Sequence, residues 1–537
     1  MSCATVHERF LETAHRRGAA PFLHVLEETA AAYGIGAGDI SYRQMQQAVD
    51  GWIGRLRSAG CGPGHRVGLL LQNRPVFLEI WLALNALGAS AVPINPDLRL
   101  AELEYLIAHS EMVMALVLPD RLAEVRQAAQ NTGRNIPVLV PEDSLAALEP
   151  ARGPALAPDS HTEAALLYTS GTTGRPKGCI LSNEYFLQSG DWYAALGGHV
   201  ALRPDCERML TPLPLFHMNA LAASTMAMIT TGGCLILLDR FHPRTWWQSV
   251  RASRATAVHY LGVMPAMLIS APPDPADRDH QVRFGFGAGV EKTLHADFET
   301  RYGFPLIEAW ACTETGNGGV ICANEEPRKI GTACIGRPAA EVAIRIVDDS
   351  GNPVEDGAPG ELLIRRAGDN PRYGFFSGYL KDPEATAALW EGGWLRTGDL
   401  VRQDPDGALH FVDRKKNLIR RSGENIAAVE VEEILNRHPA IRLSAVAAAP
   451  DKIRGDEVAA FVVLEAGDGT QAQAEAIVDW ALEQMAYYKV PGWVAFVERL
   501  PLTATQKVLR GELRGMVSAL FDKGAFFDTR HKKKRRI

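Results

Sequence analysis

The sequence predicts an α/β protein, with a large N-terminal domain of doubly wound sheets plus a β-subdomain and a smaller α/β C-terminal domain. Three observations carry this. Short apolar runs alternate with amphipathic helical patterns through the first half. From residue 342 the pattern changes to short strands split by turns. After "DRKKN" (413–417) a separate set of helix and strand signals begins.

The elements follow in order. "SYRQMQQAVDGWIGRLRSAG" (41–60) reads as a helix: Ser41 caps it with Gln44 three residues on, and Gly60 ends it. Its apolar face is Met45, Val49, Trp52, Ile53 and Leu56. "VGLLLQN" (67–73) is a buried strand, and "PVFLEIWLALNALG" (75–88) a helix with Pro75 in its first turn. "SAVPIN", "MVMALVLP" and "PVLVP" are strands separated by the helices "RLAELEYLIAHS" and "DRLAEVRQAAQN". "EPARGPALAPDS" (149–160) is a proline-rich connector. Beyond it, "GCLILLD" and "ATAVHYLG" are strands flanking the helix "RTWWQSVRASRA". "VAIRIVDDSGNPV", "GELLIRR" and "ALHFVDR" form the β-subdomain. The C-terminal domain holds a helix at 429–437, two strands around "PDKIRGDE", the helix "QAEAIVDWALEQM" and the strand segment "PGWVAFVERLP". The domains expected are 1–412, a hinge at 413–417, 418–529, and a basic tail at 530–537.

Composition excludes several function classes. The 537 residues are 47% hydrophobic and 22% charged, and 56 Lys+Arg against 63 Asp+Glu give a net charge of −7, so no nucleic-acid partner is expected. The N-terminal segment "MSCATVHERFLETAHRRG" has no apolar core, so no signal peptide is expected. No run approaches the about 18 apolar residues of a membrane span. The longest, "MAMITTGGCLILL" (226–238), reads as a buried helix–turn–strand. The eight cysteines are scattered without metal-ligand spacing, which points to reduced thiols and a cytoplasmic location. "RHKKKRRI" (530–537) reads as a solvated, disordered tail. A homodimer is left open.

The most informative stretch is "YTSGTTGRPKG" (168–178). Small residues let backbone N–H groups converge on an anion, hydroxyls add donors and Lys177 adds charge. It is not a Walker loop, because Pro176 precedes the lysine and Gly178 follows it. "FGFGAGV" (284–290) lacks dinucleotide-fingerprint spacing; its small residues Gly287, Ala288 and Gly289 fit a strand end that a ligand approaches closely.

In this order along the chain, "YTSGTTGRPKG", "PLPLFHMNA" (212–220), "EAWACTETG" (308–316), "GWLRTGD" (393–399), "DRKKNLIRRSGENIAAVEVE" (413–432) and "PLTATQKVLR" (501–510) resemble the motifs of the AMP-forming acyl-adenylating superfamily. That superfamily includes acyl-CoA synthetases, luciferases and peptide-synthetase adenylation domains. The resemblance covers nearly the whole chain. "PINPDLRLAELEYLI", "RRSGENIAAVEVEEIL" and "PDKIRGDEVAAFVVL" are most similar to its carnitine/crotonobetaine-CoA ligase branch.

The resemblance implies ATP, Mg²⁺ and coenzyme A acting on a small-molecule carboxylic acid, with a mobile C-terminal domain. It implies that Thr169, Ser170, Gly171, Thr172, Thr173, Gly174 and Lys177 hold phosphates, and that Gly287, Ala288, Gly289, Glu308, Ala309 and Trp310 surround the nucleotide. Thr313 contacts the α-phosphate, Glu314 ligates Mg²⁺, Asp399 takes the ribose with support from Arg414, and Lys507 bridges carboxylate and α-phosphate. Lys416 is the pivot, and Ser422, Gly423 and Glu424 face coenzyme A. His217, Met218, Asn219, Ser224, Leu261, Met264, Trp310, Ala311, Cys312 and Asn317 line the acyl pocket, His217 at its gate. Their mixture of apolar and polar groups suits a small or medium acid with room for a polar, carnitine-like group.

Two departures stand out. Trp310-Ala311 replaces the usual Tyr-Gly, and Gln506 replaces the glycine before the lysine. Singly, Glu314, Asp399, Lys507 and His217 read as ordinary capping, turn, surface and core residues; the ordered set decides. The alternatives are an amino-acid- or aryl-acid-activating adenylation enzyme, and a non-catalytic adenylate-binding protein. Met218–Thr231 offers no acid for an α-ammonium, which weighs against amino acids.

Overall fold

The computed structural model of the chain describes residues 3–149, 157–169, 176–421, 424–451, 454–503 and 507–533. They form two compact units. The first holds the described residues up to 343 together with Ile364–Leu395; the second holds Ile344–Leu363 and the chain from Arg396 onward.

The first unit contains two doubly wound sheets, as the alternating pattern predicts. In the seven-stranded sheet, Glu163–Thr169, Ser90–Pro93, Arg66–Leu70, Met114–Val117 and Val138–Leu139 lie side by side in parallel. Lys177–Ser182 and then Gly378–Tyr379 extend it in antiparallel fashion. The parallel core of the eight-stranded sheet runs Leu306–Trp310, Phe284–Ala288, Ala257–Leu261, Arg208–Thr211, Cys234–Leu237, Pro21–Val25. Antiparallel strands close its two edges.

Local sequence explains the elements between. Ser41 and Gln44 form a full capping box on the helix Tyr42–Ser58: Ser41 Oγ accepts from Gln44 N, and Gln44 Oε1 accepts from Ser41 N. Met45, Val49, Trp52 and Leu56 are buried, while Ile53 sits half-buried at the edge of the face. Helix Pro75–Ala86 starts on its proline and is apolar almost all round, because it is covered on several sides. Each large side chain buried there contributes about 2 kcal/mol. The apolar run 226–238 folds as expected: helix Thr225–Thr231, a left-handed Gly232, then strand Cys234–Leu237. Among the described residues no helix is long and apolar enough to cross a membrane.

In the second unit, strand Trp394–Gln403 pairs antiparallel with Leu409–Arg414. Farther along, Gly455–Leu464 pairs with Ile441–Asp451 and with Trp493–Phe496. Its run of apolar residues is buried on both faces. Val458, Ala460 and Val462 meet helices Ala428–Leu435 and Gln471–Gln484; Ala459, Phe461 and Val463 meet helix Arg510–Asp522. That last helix was not foreseen, since only Leu513 and Val517 of it are buried.

The C-terminal segment corrects an expectation. Rather than a solvated tail, Arg530–Lys532 forms a 3₁₀ turn against the second unit. Arg530 lies 4.1 Å over the Trp493 ring, and Lys532 pairs with Asp479 at 2.8 Å. Lys533 is buried with its ammonium on Glu457. The reason is electrostatic: Glu457 is wholly buried, Arg421 donates Nε to both its oxygens at 2.9 Å, and Lys533 adds a second counter-charge. Residues 534–537 lie outside the described residues.

Candidate active site

The carboxyl ends of adjacent parallel strands are where α/β sheets hold ligands. In the eight-stranded sheet, strands Arg208–Thr211, Ala257–Leu261, Phe284–Ala288 and Leu306–Trp310 end side by side. The segments that leave them carry His217, Met218 and Asn219; Leu261 and Met264; Ala288 and Gly289; and Ala311 through Asn317. Nucleotide and acyl candidates far apart in sequence therefore share one sheet edge.

Backbone proximity shapes that edge. A Cβ on Gly287 would lie 2.2 Å from the Tyr260 carbonyl oxygen, and Gly289 has φ +82°. Glu308 pins the turn: its carboxylate accepts from Gly289 N at 2.8 Å, Val290 N at 2.9 Å and Tyr260 Oη at 3.1 Å. Burial raises the Glu308 carboxyl, and the Val290 and Gly289 N–H groups oppose that rise. The Glu308 side chain is thus spent on holding the loop, which presents backbone at this edge. Ala309, Trp310 and Met264 are buried, His217 and Ala311 exposed, and Leu261 and Cys312 between. Asn317 is buried in the 3₁₀ turn Gly316–Gly319.

Thr313 and Glu314 are held from two sides. Tyr185 Oη donates to the Thr313 carbonyl at 3.0 Å, and Tyr379 Oη donates to Glu314 Oε1 at 2.8 Å. Burial, and then the adjacent carboxylate, push the Tyr379 hydroxyl far above its ordinary range, so it stays a donor. The same tyrosine ring carries the Lys177 ammonium 4.8 Å from its centroid, and Asp382 Oδ2 lies 3.3 Å from that ammonium. Tyr379 thus joins Lys177, the phosphate-binding candidate, to Glu314, the metal-binding candidate. Glu314 Oε2 has no partner among the described residues and is half-exposed, a hard oxygen donor suited to magnesium.

Lys177 and Thr169 are register partners in the antiparallel pair Glu163–Thr169 and Lys177–Ser182, so the candidate phosphate-binding segment connects two adjacent strands. Ser170, Gly171, Thr172, Thr173 and Gly174 lie outside the described residues.

The remaining candidates belong to the second unit. Asp399 is buried, and Arg414, its cross-strand partner, places Nε 2.8 Å from its Oδ1. In the expected hinge, Lys415–Asn417 is a 3₁₀ turn, and Asp413 ties it down: Oδ1 accepts from Asn417 Nδ2 at 3.1 Å, and Oδ2 from Val429 N at 3.2 Å. The Lys416 side chain lies outside the description, as do Ser422, Gly423 and the Glu424 side chain. Lys507 is exposed; Thr503 N donates to its carbonyl at 2.7 Å, and its own N–H donates to Thr503 Oγ1 at 3.0 Å. Gln506 falls outside the described residues. Arg510, three residues on, donates Nη1 to Glu432 at 2.9 Å, and Glu432 also accepts from Val446 N at 2.6 Å. The segment after Lys507 is so tied to the helix Ala428–Leu435 that follows the Lys415–Asn417 turn.

Sequence reasoning missed Tyr185, Tyr193, His259, Tyr260 and Tyr379. Each acts on a residue far away in the chain, and periodicity marks them only as apolar positions.

Two doubly wound sheets, with nucleotide and acyl candidates at the carboxyl edge of the eight-stranded one, form the α/β layout in which a ligand sits at the strand ends. The comparisons agree. The AMP-binding enzyme family matches residues 14–380, and its C-terminal domain family matches 430–507. A crotonobetaine/carnitine–CoA ligase from Salmonella enteritidis is 32% identical over 492 residues, 88% of this chain and 93% of that one. A sulfoacetate–CoA ligase from Cupriavidus necator is also 32% identical, over 86% of this chain and 90% of that one. The o-succinylbenzoate–CoA synthetase of Bacillus subtilis, solved with an acyl-adenylate intermediate, superposes with TM-score 0.79 at 25% identity, covering 94% of this chain and 97% of that one. The same protein has been solved with ATP and a magnesium ion. The chain belongs to the AMP-binding enzyme family. Within it the protein is an acyl-CoA ligase that uses ATP, magnesium and coenzyme A.

Proposed function

We propose that the protein activates a small or medium carboxylic acid bearing a polar group, first as acyl-AMP and then as the coenzyme A thioester. The acid's carboxylate oxygen attacks the α-phosphorus of ATP, the bond to the β-phosphate oxygen breaks, and pyrophosphate leaves. The coenzyme A sulfur then attacks the acyl carbon, the carbon–oxygen bond to AMP breaks, and the thiol proton is lost to solvent. Lys177 and the hydroxyls of residues 169–173 hold the β- and γ-phosphates, and Thr313 the α-phosphate. Asp399, with Arg414 against it, accepts from the ribose hydroxyls. Lys507 neutralises repulsion as the two anions meet. Glu314 would hold magnesium, which would supply charge neutralisation for the leaving pyrophosphate.

One lysine cannot occupy the site while the thiol attacks from the same side. A turn at Lys416 would withdraw Lys507 after adenylation and bring residues 422–424 forward. The eight free cysteines fit a reducing cytoplasm.

The observation that carries the reading is Tyr379, whose ring and hydroxyl organise Lys177 and Glu314 at the carboxyl edge of the sheets. Acid-dependent pyrophosphate exchange across a panel of acids, followed by coenzyme A consumption, tests it. Exchange without coenzyme A consumption would favour a different acceptor for the acyl group, and no AMP from any acid would refute the reading.

A further inference from the structure

The two curated relatives above, equally similar to this chain, are named for acids whose distal groups carry opposite charge, a trimethylammonium and a sulfonate. The first unit contains a buried hydrogen-bonded cluster next to the acyl-pocket candidates. Residues 219–224 form a π-helix, a widened turn that places Asn219 and Ser224 side by side instead of a residue out of phase. Ser224 Oγ donates to the Asn219 carbonyl at 3.2 Å across this turn. Both side chains meet His259 on the neighbouring strand Ala257–Leu261: its Nδ1 lies 2.9 Å from Asn219 Oδ1 and 2.8 Å from Ser224 Oγ. On the other side of the ring, Nε2 lies 3.0 Å from Tyr193 Oη. His259 and Tyr193 are wholly buried, and burial pulls the imidazole down to about 3, so the ring is neutral.

A neutral imidazole has one N–H. If Nε2 carried it, the Tyr193 hydroxyl would have to accept, and its own proton would be buried without an acceptor. The consistent arrangement has Tyr193 donating to Nε2, and Nδ1–H donating to Asn219 Oδ1. That fixes the carboxamide. Its oxygen is turned to His259 and its Nδ2 is turned away. Nδ2 has no partner among the described residues and belongs to a half-exposed side chain two residues beyond His217.

We propose that Asn219 Nδ2 reads a hydrogen-bond acceptor on the distal end of the acid, a sulfonate, carboxylate or carbonyl oxygen, and that His259 is the positioning residue that keeps it a donor. This rests on the ligase reading. A distal trimethylammonium group would meet an N–H donor instead of an acceptor and is disfavoured.

The test uses the full chain with ATP, magnesium and coenzyme A, reading AMP release. A library of C2 to C8 and aromatic acids first sets the skeleton that turns over best. On that skeleton the distal sulfonate, carboxylate, trimethylammonium and tert-butyl acids are compared. The expected kcat/KM is at least tenfold higher for the sulfonate or carboxylate than for the trimethylammonium acid. Asn219→Leu should lose at least ten times more activity toward the acceptor acid than toward the tert-butyl acid. Tyr193→Phe and His259→Phe should raise KM selectively for the acceptor acid with little change in kcat. Tyr193→Phe keeps the ring in place and guards against a folding failure of the histidine variant. A best acid without a distal acceptor, or equal losses for both acids in the Asn219 and Tyr193 variants, overturns the inference. Absence of AMP with every acid instead sinks the ligase reading itself.

Discussion

Replacing Tyr379 by Phe removes one hydroxyl and keeps the ring. The hydroxyl donates to Glu314 Oε1 at 2.8 Å, while the ring supports Lys177 at 4.8 Å. A hydrogen bond to a charged acceptor is worth about 2 kcal/mol, and a rate changes tenfold for each ~1.4 kcal/mol. If that bond holds Glu314 where magnesium must sit, its loss lowers kcat/KM for adenylation by about thirtyfold. The lysine, still on its ring, keeps its contribution. The assay is acid-dependent pyrophosphate exchange at several magnesium concentrations, beside thioester formation from supplied acyl-AMP. Exchange should fall and its magnesium requirement rise, while the second half-reaction changes little. Tyr379→Ala, which also removes the cation–π contact, should be lower by a further ~threefold. Exchange within twofold of wild type in Tyr379→Phe would show that Glu314 needs no such support, and the assignment of Tyr379 would be withdrawn.

Lys507→Ala should abolish acyl-AMP formation yet convert supplied acyl-AMP to thioester, and Lys416→Pro should show the reverse; equal loss of both half-reactions in both variants would end the two-conformation account. Glu299 is pushed up by burial but pulled down further by Arg328, His295 and the Leu306 N–H, to about 2 from 4.5. A carboxyl depressed in the folded state contributes stability above pH 4.5 that is lost as pH falls toward 2, here about 3 kcal/mol. The unfolding free-energy gap between wild type and Glu299→Gln should therefore narrow by that amount over this window, and a pH-independent gap would contradict it. Lys533→Met removes one buried counter-charge from Glu457, leaving Arg421 on both its oxygens, and should destabilise the second unit by about 2 kcal/mol in urea unfolding. A double-mutant cycle with Glu457→Gln showing no coupling would return the C-terminal segment to the status of a loose tail.

The helix Tyr42–Ser58 shows what was legible. Its cap, its stop and its buried face all lie within one contiguous stretch, where local hydrogen bonds and helical spacing decide the outcome. The helix Arg510–Asp522 shows the opposite: two glycines and only two buried residues give it a faint pattern, and the sheet face it covers is what makes it a helix. The C-terminal segment read as solvated because its charges were visible and Glu457, 76 residues away, was not recognisable as their partner.

By itself the sequence determined the layered α/β architecture and the chemistry of the motifs, because strand and helix periods, glycine freedom and the order of polar residues are properties of neighbours along the chain. Tertiary structure alone decided which side chains orient the candidate site residues. Tyr379 meets Glu314 across 65 residues and His259 meets Asn219 across 40. Such contacts are fixed by strand order and burial, where a buried donor must find its acceptor wherever the fold has placed one.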